Sequence, residues 1–178
     1  MTIKTLTLNM FLLLLTFSAF SQNTAGINSL LDKNSEFIFP QTVQKIEAAL
    51  NTKTVYYEDA NEEKYAKWLT KSGLELYTSL GKNNAINEIF FDIPEDKPLI
   101  VAGLPFNLVM NKTTLEESKA KFNEYTVKIQ RMEEGNTFPR GSKLTFKRGK
   151  HYATLTFDSN NLLRFLSLTT ELVQPGVN

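Results

Sequence analysis

The sequence predicts an α+β fold: two tandem units, each of one helix followed by a three- to four-stranded antiparallel meander, with the helices packed on one sheet face. Three observations predict it. Thr42–Leu50 lies on Thr114–Phe122 at a shift of 72 residues, and Leu74–Leu80 lies on His151–Phe157 at a shift of 77. Each of the earlier two stretches carries an apolar stripe at helical spacing, and each of the later two alternates as a strand does. The shift of 77 also carries Gly81–Asn84 onto Asp158–Asn161 and Ala85–Phe91 onto Leu162–Leu168, so turn and following strand recur in the same order. The difference of five residues is what one loop insertion absorbs.

The chain has 178 residues, formal charge +1, one His and no Cys. A 42% apolar and 22% charged composition is that of a globular protein rather than a disordered one. Near-zero net charge excludes a nucleic-acid binder working by a global positive field. The absence of Cys excludes disulfides, Cys-ligated zinc, iron–sulfur clusters and thiol catalysis.

Residues 1–21 read as a secretory signal peptide. Lys4 is followed by the apolar run Leu8–Phe17, and Ala19 and Ser21 are the small residues at −3 and −1 of a cut before Gln22. The run is short for a membrane span, which takes about 20 residues. No Cys follows the cut to carry a lipid. Removing the leader takes Lys4 and no acid, so the mature chain holds 19 bases against 19 acids. A periplasmic or secreted bacterial protein is expected. Residues 22–35 read as a flexible N-terminal segment, 36–98 as the first αβ unit, 99–172 as the second and 173–178 as a tail.

In the first unit Val43, Ile46 and Leu50 form one helical stripe, and Pro40 suits a helix start. Val55–Tyr57 reads as an edge strand and Tyr65–Thr70 as a strand turning at Ser72-Gly73. Leu74, Leu76 and Leu80 alternate with Glu75, Tyr77 and Ser79. Ile89, Phe91 and Ile93 alternate with Glu88, Phe90 and Asp92. Pro94–Leu104, with Pro98 and Gly103, reads as the linker. In the second unit Leu115, Ser118 and Phe122 repeat the stripe behind a capping box at Thr113/Glu116 or Thr114/Glu117. Val127–Ile129 reads as an edge strand and Lys143–Lys147 as a strand turning at Arg148-Gly149. Ala153, Leu155 and Phe157 then face Leu166 and Leu168.

The stretches Gly103–Leu108, Asn111–Ser118, Leu155–Asp158 and Leu162–Leu166 resemble the β-lactamase-inhibitor-protein-like group, which includes small SmpA-like outer-membrane assembly lipoproteins. Where that group follows its helix with Leu-Gly and a proline, this chain has Phe122-Asn123-Glu124 and Leu50-Asn51-Thr52. The resemblance implies a non-catalytic module that binds another protein through its open sheet face. It extends to exported immunity proteins that neutralise antibacterial toxins.

Candidate chemistry is sparse. His151 is the one imidazole available to a Ser-His-acid triad, and parity turns it inward. Glu116/Glu117 and Glu133/Glu134 are sequence neighbours, which diverge on a helix instead of flanking a substrate. Asp92, Glu95 and Asp96 could attract Ca²⁺ but lack the spacing of a calcium loop. No metal site, catalytic residue or cofactor is assigned. The alternation instead leaves Tyr77, Phe90, Tyr152 and Phe165 outside, with Glu75 among them, as hot-spot material for a protein partner. Arg148, in a basic run with Arg140, Lys143, Lys147 and Lys150, joins them as an electrostatic contact. An acidic run at Glu58, Asp59, Glu62 and Glu63 sits opposite in the first unit. The function expected is an exported protein-binding module, most specifically an immunity or inhibitor protein acting on a toxin or secreted enzyme. The alternatives are an envelope assembly or scaffold protein and an exported hydrolase using His151.

Overall fold

In the computed structural model, residues 23–60, 63–80, 84–94 and 99–170 are described. The signal peptide read at 1–21 and the tail at 173–178 lie outside the described residues, as do Glu62, Glu95 and Asp96. Among the described residues the strands are β1 (Asn23–Thr24), β2 (Val55–Glu58), β3 (Lys64–Leu69), β4 (Glu75–Ser79), β5 (Glu88–Asp92), β6 (Val101–Ala102), β7 (Lys128–Arg131), β8 (Ser142–Arg148), β9 (His151–Phe157) and β10 (Leu163–Thr169). β1 and β6 form a small parallel pair, and the other eight make one sheet in the order β2-β3-β4-β5-β10-β9-β8-β7. The helices are α1 (Val43–Leu50) and α2 (Leu115–Lys121), of 8 and 7 residues.

This corrects the expected fold. The chain is not two tandem helix-plus-meander units but one eight-stranded antiparallel sheet carrying two short helices. The join is β5 with β10, in register from Asp92 opposite Phe165 to Glu88 opposite Thr169. The physical reason lies in the backbone. A meander ending at β5, and another ending at β10, would each present a row of unpaired N–H and C=O groups. Pairing the two removes both edges. It also fuses the cores: Trp68, Leu76, Phe91, Leu166, Leu155 and Leu144 stand opposite one another across six neighbouring strands. All six are buried. Each such side chain stabilises the fold by about 1.5–3 kcal/mol through lost apolar exposure.

The helices are short and depend on caps. Thr42 accepts the Lys45 amide (3.3 Å) at the start of α1, and Asn51 ends it in the left-handed conformation at φ 50°. At α2 the hydroxyl of Thr114 accepts the Glu117 amide (3.2 Å), and the Glu117 carboxylate accepts the Thr114 amide (2.8 Å). Val43, Ile46 and Leu50 of α1 belong to the same buried cluster as the inner sheet row, and so does Phe122 at the end of α2. Phe122 stacks on Phe146 of β8 at 4.2 Å. The inner face is therefore the helix-bearing face.

The lead-in at 22–35, read as flexible, packs where it is described. Ala25, Ile27 and Leu30 are buried, and β1 pairs with β6. A register shift between Leu163 and Phe165 is a β-bulge at Arg164, which lets Leu163, Leu166 and Leu168 all face inward.

Candidate partner-binding surface

Strand parity sets the outer face. With Leu76, Phe91 and Leu166 turned into the core, Tyr77, Phe90 and Phe165 turn out on three adjacent strands. Tyr77 stacks on Phe90 at 4.9 Å, and Phe90 on Phe165 at 5.9 Å, making a ladder of half-buried rings. Such ring pairs add about 0.5–1.5 kcal/mol beyond their buried area. Burial pushes the Tyr77 hydroxyl well above the usual phenol range, and the nearby Asp92 charge adds to the effect. Glu75 lies beside the ladder, its carboxylate 2.6 Å from Lys67 Nζ. Ser167, Thr154 and Thr145 continue the row from Phe90 toward β8. The ladder thus gives way to a hydroxyl-rich half of the same face.

Two of the sequence-derived site residues stand apart from this ladder. Tyr152 is outward but pairs with Thr169 and Lys147, at the far end of β9 from Phe165, and the Lys147 ammonium sits 5.1 Å from its ring centre. It borders a groove of ≈ 410 Å³ with Lys128, Gln130, Lys143 and Thr145. Arg148 is on the opposite face. It shares parity with Leu144 and Phe146, its guanidinium lies 2.6 Å from the Glu36 carboxylate, and it lies over the Tyr125 ring at 5.6 Å. The basic run alternates, so Lys143 and Lys147 point outward while Arg148 clamps the segment before α1. Arg148 therefore lies away from the aromatic face.

His151 is directly opposite Arg148 at the end of the β8–β9 hairpin. Its ring stacks on Phe39 at 5.6 Å, and its Nδ1 is buried with no hydrogen-bond partner. It borders a cavity of ≈ 20 Å³ together with Phe37, Phe106, Phe146 and Glu36. That is room for about one water molecule rather than a substrate. Of the three acids considered for Ca²⁺, only Asp92 is described; no group of three or more His, Asp or Glu side chains among the described residues could hold a metal ion. Among the described residues no helix is long and apolar enough to cross a membrane.

The sequence places an edge strand at Val55–Tyr57 but gives no sign that its aromatic side chains form a surface. Val55 is 62% exposed, Tyr56 61% and Tyr57 40%, with Leu69 of β3 beside them at 56%. Tyr57 stacks on Tyr65 at 5.2 Å. Tyr65 donates to the Glu63 carboxylate (3.0 Å), and that bond, with burial, pushes its phenol up to about 12. Tyr56, Tyr57, Glu58 and Lys64 border an open groove of ≈ 600 Å³. A relay fixes where the strand begins: Trp68 Nε1 donates to Thr54 Oγ1 (2.8 Å), which donates to the Glu47 carboxylate of α1 (2.7 Å). The available signal was Val-Tyr-Tyr on a strand already read as an edge.

No protein-family model and no curated protein matches this sequence. Among solved structures, the chain is similar to a DUF4309 family protein, YjgB, from Bacillus subtilis. Identity is 12% and the TM-score 0.43, over 76% of this chain and 82% of that one.

Proposed function

We propose that this protein is a non-catalytic module that binds a protein partner through its outer sheet face. The observation that carries the reading is the Tyr77–Phe90–Phe165 ladder, on the face opposite the one to which both helices contribute core residues. Aromatic side chains bury large area at small entropic cost, and they anchor binding interfaces for that reason. The flanking Glu75–Lys67 pair and the Ser167–Thr154–Thr145 row supply the polar surround. The more specific reading is an exported immunity or inhibitor protein of the periplasm or extracellular space. It rests on the leader at residues 1–21 and on the family resemblance. Such a protein blocks a toxin or secreted enzyme by covering it and supplies no chemistry of its own.

The test is affinity capture from a periplasmic extract with residues 22–178 as bait, beside the Ser167→Lys and Arg148→Gln variants. Ser167 lies between Phe90 and Thr154 on the outer face, so a lysine there charges the surface while leaving the core row in place. Wild type and Arg148→Gln retain a common partner, and Ser167→Lys loses it by about tenfold or more, the scale of one interface hot spot. Equal retention by Ser167→Lys, with unchanged thermal stability, overturns the reading. An exported toxin or hydrolase as the partner supports inhibition; outer-membrane assembly proteins support the scaffold alternative.

A further inference from the structure

We infer that the β2 edge is a self-pairing surface: two copies of this chain join β2 to β2 about a two-fold axis, making one sheet of sixteen strands. The sheet supplies the geometry. A two-fold axis perpendicular to the sheet pairs the two β2 strands antiparallel and keeps the outer face of one copy continuous with that of the other. Residues directly opposite must then share a face, so one residue of β2 stands opposite its own copy.

Side-chain chemistry selects which one. With Tyr56 on the axis, Val55 stands opposite Tyr57 of the second copy, Thr54 opposite Glu58, and Lys53 opposite Asp59. The centre is an aromatic pair, its flanks are aromatic with β-branched, and its ends are oppositely charged. No like charges meet. Each pair except the central one occurs twice. The exposed members are in place for this, while Thr54 is half-buried with its amide and hydroxyl both donating to Glu47 (2.7 Å each). Val55, Tyr56, Tyr57 and Glu58 are all exposed, and so is Lys53. Asp59 is positioned at the strand end by accepting the Glu63 amide (3.0 Å). Moving the axis to Tyr57 places Val55 opposite Asp59 and Tyr56 opposite Glu58, which forfeits both the apolar and the charge matching. The sheet's other edge lacks this complementarity: β7 exposes Lys128 and Arg131 with outward Lys143 of β8 opposite Gln130, and no acid lies within the strand to offset them.

The chain has no Cys, so a single introduced thiol reports the register. In the Tyr56-centred register the two residues at 56 have Cα atoms about 4.5–5.5 Å apart, within disulfide reach. The two at 57 are roughly 8 Å apart, beyond it. Tyr56→Cys is expected to cross-link to a covalent dimer under mild oxidation at least about tenfold faster than Tyr57→Cys. Sedimentation of the wild-type chain across a concentration series is expected to give a reversible dimer. Tyr56→Lys sets two cations opposite each other and is expected to weaken that dimer by about tenfold or more. Ile129→Lys on the other edge leaves it unchanged. A wild-type monomer at every concentration overturns the inference. So does equal cross-linking at 56 and 57, or an open-ended polymer, which would mean β2 pairs with β7 of the next copy.

Discussion

At one edge of the sheet β2 carries Val55, Tyr56 and Tyr57 to solvent; at the other, β7 carries Lys128, Gln130 and Arg131 with Ile129 between them. Both strands have four residues and lie outermost in the same sheet. Exposed strand edges invite pairing with other chains, and charge on or beside the edge is a common guard against it. β7 has that guard, reinforced by Lys143 and Lys147. β2 has acids only at its end, at Glu58 and Asp59, and the ammonium of Lys64 lies 3.8 Å from Glu58. The two edges therefore differ in the charge that stands along them.

Changes at Gly141, at Thr54 with Glu47, and at Lys128 with Arg131 test how far this contrast holds, from the largest expected effect down. Gly141 lies between β7 and β8, where an added Cβ would run into the carbonyl oxygen of Phe157 and come within 2.9 Å of that of Phe138. Gly141→Ala is expected to destabilise the protein by about 2–3 kcal/mol, read from urea unfolding, and to loosen the basic edge first in amide hydrogen exchange. Loosening that begins at β2 would show that the basic edge is not held through Gly141.

On the open edge, Thr54→Val leaves the Trp68 indole N–H without its acceptor and removes the hydroxyl's bond to Glu47 while keeping the backbone amide's. A loss of about 1–3 kcal/mol is expected from the same unfolding curves. The hydrogen bonds from Thr54 hold the Glu47 carboxyl below the usual glutamate range. A depressed carboxylate stabilises the fold above its unfolded value, and that contribution fades as pH falls through its folded value. Stability should therefore drop at acid pH in wild type, with a shallower acid limb in Glu47→Gln.

The smallest effect on stability is expected from removing the guard. Lys128→Thr with Arg131→Thr should change unfolding free energy by no more than about 0.5 kcal/mol. It should nevertheless give β7 a new tendency to associate, seen as mass rising with concentration beyond the β2 dimer. If mass stays unchanged, those cations are not what keeps the β7 edge apart.

Much of the local structure was legible because it rests on local physics. The stripe Val43, Ile46 and Leu50 marks α1, and Thr114 with Glu117 marks the start of α2 by a reciprocal pair of hydrogen bonds. Alternation at Glu75–Ser79 and Glu88–Asp92 separates inward Leu76, Ile89 and Phe91 from outward Tyr77 and Phe90. The ladder itself was only partly legible. Parity gives a side, but not which strands are neighbours, and Phe165 joins Phe90 only because β10 lies against β5. Tyr152 has the same parity and ends up at the other end of its strand pair. Arg148 shows the opposite difficulty: a basic run reads as one patch along the chain, while the pleat sends alternate members to opposite faces.

The sequence by itself determined the two helices, the alternation of the longer strands and how charge is spread along the chain, whereas β1 and β6 fall in segments read as flexible and as a linker. Periodicity, caps and turn residues act over a few positions. The tertiary structure alone decided that eight of the strands form one sheet, which two of those are its edges and which aromatic rings stack. Those outcomes depend on partners far apart in the chain. Pairing β5 with β10 satisfies two rows of backbone groups at once and closes a single core across the join. That gain is collective, and no single residue of either strand displays it.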